Sequence, residues 1–576
     1  MRQRYLLVSS AVTLFTSIAF CVAPAVATPC TNLSGLPLQH TTITSATDND
    51  SGTFVPPGAA PITGLPAFCR VTATLTPMSD STIKIEVWLP KTTWNSRFLG
   101  TGGGGFQGII SYSALASGIR QGFAATNSDL GTGSSGCTPL FCGSGGAPPT
   151  PLGTAFGYPP SPTIGLLGHP ERIKDFGYRA IHLMTLRGKE IANAFYGQGA
   201  QTAYFAGCST GGQNALMEAQ RFPEDYNGIL AGAAAFNRTH LHMSALFSWQ
   251  NTHATPGRFI QTGQMSLINN AVLAQCAGHD DGLATDQFLT DPRACKFDPK
   301  VLQCTGSNVP PACLTAEQVT TMQNVYAGTS DPQNGQLINP GTARGSETDN
   351  VFALGLAFQE GLPEPPFDGL FYWVFGPAFG VLSSATNYAN FDFHRDVRTV
   401  DDQLADTLNA VSTDLSEFNR RGNKLLMYHG WADPLIPPPS SINYFNALAN
   451  INGPNADHVQ PVAFTPGGSK KLAETQSYAR LFMVPGMYHC SGGPGPNVFD
   501  ALTPLVQWVE QGVAPETIVA TKFVADTPPA VQMTRPLCLF PKVAKYTGSG
   551  DPNVAANFVC VAHDFDSQTP APKFGP

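Results

Sequence analysis

Apolar residues fall in two rhythms along this chain. In its first fifth the rhythm is two. Val71-Thr72-Ala73-Thr74-Leu75 and Ile83-Lys84-Ile85-Glu86-Val87-Trp88-Leu89 alternate apolar with polar residues, which predicts half-buried strands. Short apolar runs bounded by turn residues follow at Arg97-Phe98-Leu99, Gly122–Asn127, Thr202–Ala206, Tyr226–Gly232, Lys424–Tyr428 and Ala479–Val484. Such runs suit strands buried on both faces of a parallel sheet. Between them the spacing turns helical. Ile173, Ala180, Ile181, Met184 and Ile191 share one face over Glu171–Tyr196, and Gln213–Gln220 and Val498–Glu510 read as further helices. Strands alternating with helices predict an α/β chain with a doubly wound sheet.

Two stretches break the pattern. Residues 28 to 60 are rich in Thr, Ser and Pro and read as an irregular lead-in. Residues 128 to 163 are rich in Gly, Ser and Pro and read as a surface loop. Near Asn237 the character changes for longer. Residues 237 to 415 hold two close cysteine pairs, few strand signals and aromatic runs such as Phe371-Tyr372-Trp373-Val374-Phe375. The sheet rhythm resumes at Lys424. The expected organisation is therefore a signal peptide at 1–27, a first catalytic part at 28–236, an inserted lid at 237–415 and a second catalytic part at 416–576. A lid leaving here would stand over the C-terminal strand ends, where open α/β sheets bind ligands. An ordinary second domain away from the site is the alternative.

Composition narrows the function class. Over 576 residues, a net charge of -8 without a Lys/Arg run gives no electrostatic case for nucleic acid. Arg2 and Arg4, the apolar Tyr5–Val22 and the small-x-small Ala25-Val26-Ala27 read as a secretory signal. No later apolar stretch has the length of a membrane span. The expected location is secreted or periplasmic. Of the 13 cysteines, Cys21 lies in the leader, and the remainder are even in number. In an exported chain that reads as disulfides. Proximity pairs Cys30 with Cys69, Cys137 with Cys142, Cys276 with Cys295, Cys304 with Cys313 and Cys538 with Cys560. Cys208 and Cys490 are left over.

The chemistry centres on Gly207-Cys208-Ser209-Thr210-Gly211-Gly212, set between a strand and a helix. Strand, Gly-x-Ser-x-Gly and helix form the nucleophile elbow of α/β-hydrolases. In that fold the acid and then the base follow the serine in chain order. Asp433 lies in a loop after the strand 424–428, and His489 lies after the strand 479–484. The expected triad is Ser209, Asp433 and His489. Taken singly, Asp433 also suits a turn before Pro434, and His489 a solvated loop. The oxyanion donors expected are the amides of Thr210 and of a glycine in Gly103–Gly105, namely Gly104, each worth about 3–4 kcal/mol. If Ser209 and His489 meet through a hydrogen bond, Cys208 and Cys490 come within reach of a disulfide.

Cys-Ser, Asp and His-Cys, with a lid between, resemble the tannase/feruloyl esterase family, which includes a mono(2-hydroxyethyl) terephthalate hydrolase. The matching segments are Gly207–Gly212, the Gly-rich loop before Phe106, His429–Pro437 and Val484–Cys490. The resemblance implies hydrolysis of esters of hydroxy-aromatic acids and no organic cofactor. It also implies a structural Ca²⁺ between Cys276 and Cys295. Asp281 and Asp286 are the expected carboxylate ligands, Asp280 a replacement ligand, and Leu283 and Phe288 complete the set. Clustered carboxylates and carbonyls suit that ion. The family pattern has Asp directly after the first Cys, where Ala277 stands, and Asp281 to Asp286 is one residue longer. Trp373 is the expected aromatic wall of the acyl pocket, and Arg395 and Arg398 are candidates only by lid position. Among substrates, feruloyl esters come first, galloyl esters second and terephthalate monoesters third. An inactive aromatic-ester binder is the alternative class. Oligomeric state is not readable from the sequence.

Overall fold

In a computed structural model the described residues are 28–106, 108–133, 169–349, 369–375, 386–449 and 468–562. The expected signal peptide and the Cys137–Cys142 pair lie outside them.

Nine strands form the central sheet: β1 (Thr41–Asn49), β2 (Phe68–Leu75), β3 (Ile83–Pro90), β4 (Arg97–Thr101), β5 (Ala124–Ser128), β6 (Thr202–Cys208), β7 (Gly228–Gly232), β8 (Lys424–Gly430) and β9 (Ala479–Val484). Their order is β1-β2-β3-β5-β4-β6-β7-β8-β9. The first three pair antiparallel along the sheet, β3 meets β5 antiparallel, and every pair from β5 to β9 is parallel. The parallel half reads as apolar runs because helices cover both of its faces. Successive side chains alternate sides. Phe98, Phe205, Ile229, Met427 and Leu481 enter one buried cluster. Leu99, Tyr204, Leu230, Leu426 and Phe482 enter another.

Helix α1 (Tyr112–Arg120) and the long α2 (Ala180–Tyr196) flank the sheet, and α3 (Thr210–Arg221) leaves the end of β6. The single helix expected over 171–196 is a short turn of helix at Pro170–Lys174, a π-turn at Asp175–Arg179 and then α2. Strand β1 corrects the expected irregular lead-in. Its burial alternates only weakly, with Ala46 alone buried, so an edge strand of Thr and Ser carries no apolar signature.

Within residues 237–415 lie α4 (Arg238–His253), α5 (Thr262–Cys276), α6 (Ala316–Ala327), α7 (Gly369–Phe375) and α8 (Asp396–Leu408). Two packing regimes divide this segment. Ile268, Val272, Leu314, Val319 and Met322 make a core of their own, stapled by Cys276–Cys295 and Cys304–Cys313. Met243 and Leu246 of α4 and Val400 and Leu404 of α8 instead join the main cluster beside the sheet. After β9 come α9 (Leu502–Gln511) and two hairpins, β10 (Thr517–Phe523) with β11 (Val531–Cys538) and β12 (Lys542–Tyr546) with β13 (Phe558–Ala562). Cys538–Cys560 ties one hairpin to the other, and Cys30–Cys69 anchors the first described residues to β2. No helix among the described residues is long and apolar enough to cross a membrane.

Candidate active site

Ser209 stands where β6 turns into α3, with φ 64° and ψ −121°. A non-glycine residue holds that conformation only when its surroundings enforce it. The enforcement is visible. The Ser209 amide donates to Gly232 O at 3.0 Å, and its carbonyl accepts from Gln213 N at 3.0 Å and Ala235 N at 3.1 Å. A Cβ on Gly207 would sit 2.5 Å from the Gly211 carbonyl carbon, and one on Gly102 would sit 2.4 Å from Gly211 Cα. Glycine at these places lets the strand end, the helix start and the Gly-rich loop touch backbone to backbone.

Asp433 and His489 arrive from β8 and β9. The two loops are pinned together, since Trp431 N donates to Val484 O at 2.8 Å and Ala432 N donates to Met487 O at 3.0 Å. A Cβ on Gly430 would lie 2.3 Å from Met487 O. Asp433 is fully buried. Its Oδ1 accepts from the amides of Leu435 at 2.9 Å and Ile436 at 3.0 Å. Its Oδ2 accepts from His489 Nδ1 at 2.7 Å. That bond fixes the tautomer, so Nε2 carries the lone pair.

A second histidine completes the carboxylate's surroundings. His429, the penultimate residue of β8, is fully buried. Its Nε2 lies 3.0 Å from Ile436 O and 3.2 Å from Asp433 Oδ2. A carbonyl acceptor requires that Nε2 carry the hydrogen, so Nδ1 accepts from Ser441 Oγ at 2.7 Å. His429 lies inside the matching segment His429–Pro437, where the sequence alone assigns it no role. Its position two residues before the acid-bearing turn, on a strand buried on both faces, was the available signal.

Charge follows from these contacts. Burial alone would raise the Asp433 pKa, but the charge of His489 and the bonds from both histidines hold it well below the usual carboxylate range. Burial alone would lower the His489 pKa, but Asp433's charge and hydrogen bond hold it above the ordinary imidazole value.

Cys208 and Cys490, the neighbours of Ser209 and His489, are joined by a disulfide with Cα atoms 6.0 Å apart, across 282 residues of sequence. Cys490 itself has φ 62°. The expected Ser209–His489 hydrogen bond is not formed among the described residues. His489 Nε2 instead lies 3.7 Å from Cys490 Sγ. Unliganded catalytic hydrogen bonds are commonly long and tighten with substrate. Both cysteines line a pocket of about 420 Å³, together with Leu99, Tyr428 and Phe499 among others.

The Gly-rich loop lies against α3. Gly102 N donates to Ala206 O at 3.0 Å, Gly103 N donates to Asn214 Oδ1 at 3.4 Å, and Thr210 Oγ1 donates to Gly105 O at 2.7 Å. Gly104 therefore sits between anchored neighbours in the loop that meets the start of α3. The Thr210 amide opens the helix and has no intrahelical acceptor.

Residues of the 237–415 segment reach the loop that carries His489. Thr348 Oγ1 lies 2.8 Å from Tyr488 Oη, and a Cβ on Gly486 would lie 2.5 Å from Phe288 Cβ. Trp373 is in α7, its side chain outside the described residues. Arg395 and Arg398 are exposed, and Arg395 pairs with Asp396 at 2.6 Å.

The acidic loop does not fit a calcium ion as it stands. Asp280 accepts from the amides of Gly282 at 3.2 Å, Thr290 at 2.5 Å and Asp291 at 3.4 Å. Asp286 Oδ1 accepts from Arg535 Nη2 at 3.0 Å, with both side chains buried. Asp281 lies 3.6 Å from Lys545 Nζ, and Leu283 O accepts from Asp286 N. Amides thus bind both Asp280 oxygens, and cationic side chains face one oxygen each of Asp281 and Asp286. The described residues that bring three potential ligand atoms within 4.8 Å of one another are His182, Glu218 and Asp225, in another part of the fold.

The family model for tannase and feruloyl esterase matches residues 69–561. An uncharacterised esterase of Xanthomonas campestris pv. campestris is 34% identical over 92% of this chain and 91% of its own length. A probable feruloyl esterase B-2 of Aspergillus flavus is 31% identical over 82% of this chain and 83% of its own. The crystal structure of feruloyl esterase B from Aspergillus oryzae superposes with a TM-score of 0.74 at 27% identity, covering 92% of this chain and 99% of that one.

Proposed function

The chain belongs to the tannase and feruloyl esterase family and is a carboxylic ester hydrolase; from that premise we propose that it is an exported serine esterase of hydroxy-aromatic acids, acting first on feruloyl-type esters. One observation carries the catalytic assignment. The disulfide between Cys208 and Cys490 joins the neighbours of nucleophile and base, while Asp433 holds the far side of the imidazole.

Ser209 Oγ attacks the ester carbonyl, and His489 Nε2 takes its proton. Asp433 keeps the Nδ1 hydrogen in place and stabilises the imidazolium. The amides of Thr210 and Gly104 receive the tetrahedral oxyanion. The imidazolium then protonates the departing alcohol, leaving an acyl-enzyme. Water, deprotonated by the same imidazole, releases the acid. No step requires a cofactor or a metal ion.

Kinship with enzymes named feruloyl esterases supports the acid preferred. Five disulfides among the described residues suit an oxidising compartment, which supports export. The test is hydrolysis of methyl ferulate, methyl gallate and mono(2-hydroxyethyl) terephthalate by wild type and Ser209→Ala. Wild type should turn over methyl ferulate fastest, and Ser209→Ala should lose at least about 10⁴-fold in kcat on every ester. Activity surviving that substitution would remove Ser209 from its role, and a faster galloyl or terephthalate ester would change the substrate class.

A further inference from the structure

The strongest unassigned charge near the site is Arg238, the first residue of α4. It is 2% exposed, yet no carboxylate lies within ion-pair distance of it among the described residues. Its Nη2 donates to Thr210 Oγ1 at 2.6 Å and its Nε donates to Gln213 Oε1 at 2.8 Å, both on α3. Phe106 and Phe176 offer ring faces at 5.4 Å and 5.0 Å from the guanidinium carbon. A buried guanidinium without a counter-ion is unfavourable. Hydrogen bonds and aromatic faces offset only part of that, so the charge calls for a further reason.

The reason lies one bond away. Thr210 Oγ1 accepts from Arg238 and donates its own hydrogen to Gly105 O at 2.7 Å. Arginine, threonine hydroxyl and glycine carbonyl form one directed chain across the corner where the oxyanion donors stand. It fixes the first residue of α3, which carries one donor amide, to the loop that carries the other. It also brings a positive charge to the start of α3: burial pushes the Arg238 guanidinium down to about 9, still charged at neutral pH. Gln213, held at its other end by a 2.6 Å bond to Leu408 O, keeps the guanidinium from turning away.

We propose that Arg238 is a positioning residue for ester hydrolysis: through the Thr210 hydroxyl it sets the spacing of the two oxyanion-binding amides and adds positive potential where the negative charge develops. This rests on the Ser209 reading above. The charge develops only in the transition state, so loss of the relay must appear in kcat rather than in KM.

The test uses the full chain with methyl ferulate and 4-nitrophenyl acetate. Arg238→Met keeps the length and removes the charge. It should lower kcat about 10- to 100-fold, with KM within about threefold. Arg238→Lys, which keeps a charge able to reach Thr210, should recover most of that loss, and a purely space-filling role would not show this rescue. Thr210→Val keeps the amide but cuts the relay, and Arg238→Met/Thr210→Val should be no worse than the poorer single variant. A kcat within threefold of wild type in folded Arg238→Met overturns the proposal. So do single-variant losses that multiply in the double variant, or a loss borne by KM. Should Arg238→Met fail to fold, Thr210→Val decides, and wild-type kcat there overturns the proposal. Activity in Ser209→Ala would sink the parent reading instead, so the two failures are distinguishable.

Discussion

In the proposed mechanism the imidazole of His489 must be neutral to accept the Ser209 proton. Asp433 favours its charged form, so neutrality arrives at a higher pH than for a free histidine, about 6.5. The acid limb of kcat/KM should therefore have its midpoint above that value, with activity rising as pH passes through it. Asp433→Asn removes the opposing charge and should cut kcat about 10⁴-fold. A pH-rate profile on methyl ferulate checks both, and a limb centred below 6.5 would contradict the coupling. The Asp433–His489 pair and the Cys208–Cys490 bridge were legible because Ser209, Asp433 and His489 each follow a strand in the order the proposed chemistry needs. His429 was not, since nothing local separates a supporting histidine from a buried structural one until its partners are seen. The partners of the acidic loop were hidden for a related reason. Its carboxylates were visible in sequence, but Arg535, 249 residues after Asp286, was not visible as their partner.

At the scale of elements, α2, α3 and the turn before β7 enclose a carboxyl pair. Glu218 is fully buried, and neither of its oxygens has a donor partner. Asp225 beside it already binds His182 Nδ1 at 2.7 Å. Two carboxylates join only if one carries a proton. Burial first, and then the charge of Asp225, push the Glu218 pKa well up, so Glu218 carries it. The folded state binds a proton that the unfolded state releases near pH 4.3. Stability is then full below that value and declines as pH rises through the raised pKa. Glu218→Gln keeps the donor without the titration, and its melting temperature should fall less than that of wild type between pH 5 and 9. Glu218→Ala should lose about 1–3 kcal/mol at neutral pH. Equal pH slopes for wild type and Glu218→Gln would rule out the shared proton. Elements in the sheet interior were predicted within a few residues because burial on both faces forces unbroken apolar runs. Strand β1 and the hairpins β10–β13 escaped because edges exposed to water write no such run.

Across the whole molecule, the inserted segment is held to the catalytic frame by long-range contacts. Phe288 stands against Gly486 beside the base, and Arg535 of β11 reaches Asp286 in the same loop. Breaking that buried pair leaves a lone charge inside, so Arg535→Ala should lose about 3–5 kcal/mol of stability. With Arg535 in the place a metal cation would take, EDTA should leave the wild-type melting temperature unchanged, and a drop would restore an ion to the loop. That a long stretch separates the neighbouring strands β7 and β8 was readable from the interrupted strand rhythm. Its division was not, because α4 and α8 share their core with the sheet while α5 and α6 have one of their own, and a helical period does not say which partner a face will meet.

The Cys208–Cys490 clasp spans that whole segment, and both its cysteines are only half-buried. Dithiothreitol, or Cys208→Ala with Cys490→Ala, should lower kcat at least tenfold while the far-UV spectrum keeps its native shape; unchanged kcat would show the clasp idle. Its partner cysteine comes late in the chain, so a polypeptide that stops short, or one still in a reducing cytosol, cannot close the bond. Full hydrolytic power would then come only after synthesis has passed Cys490 and the chain has met an oxidant, so the bridge reports that both halves of the sheet have been made and exported.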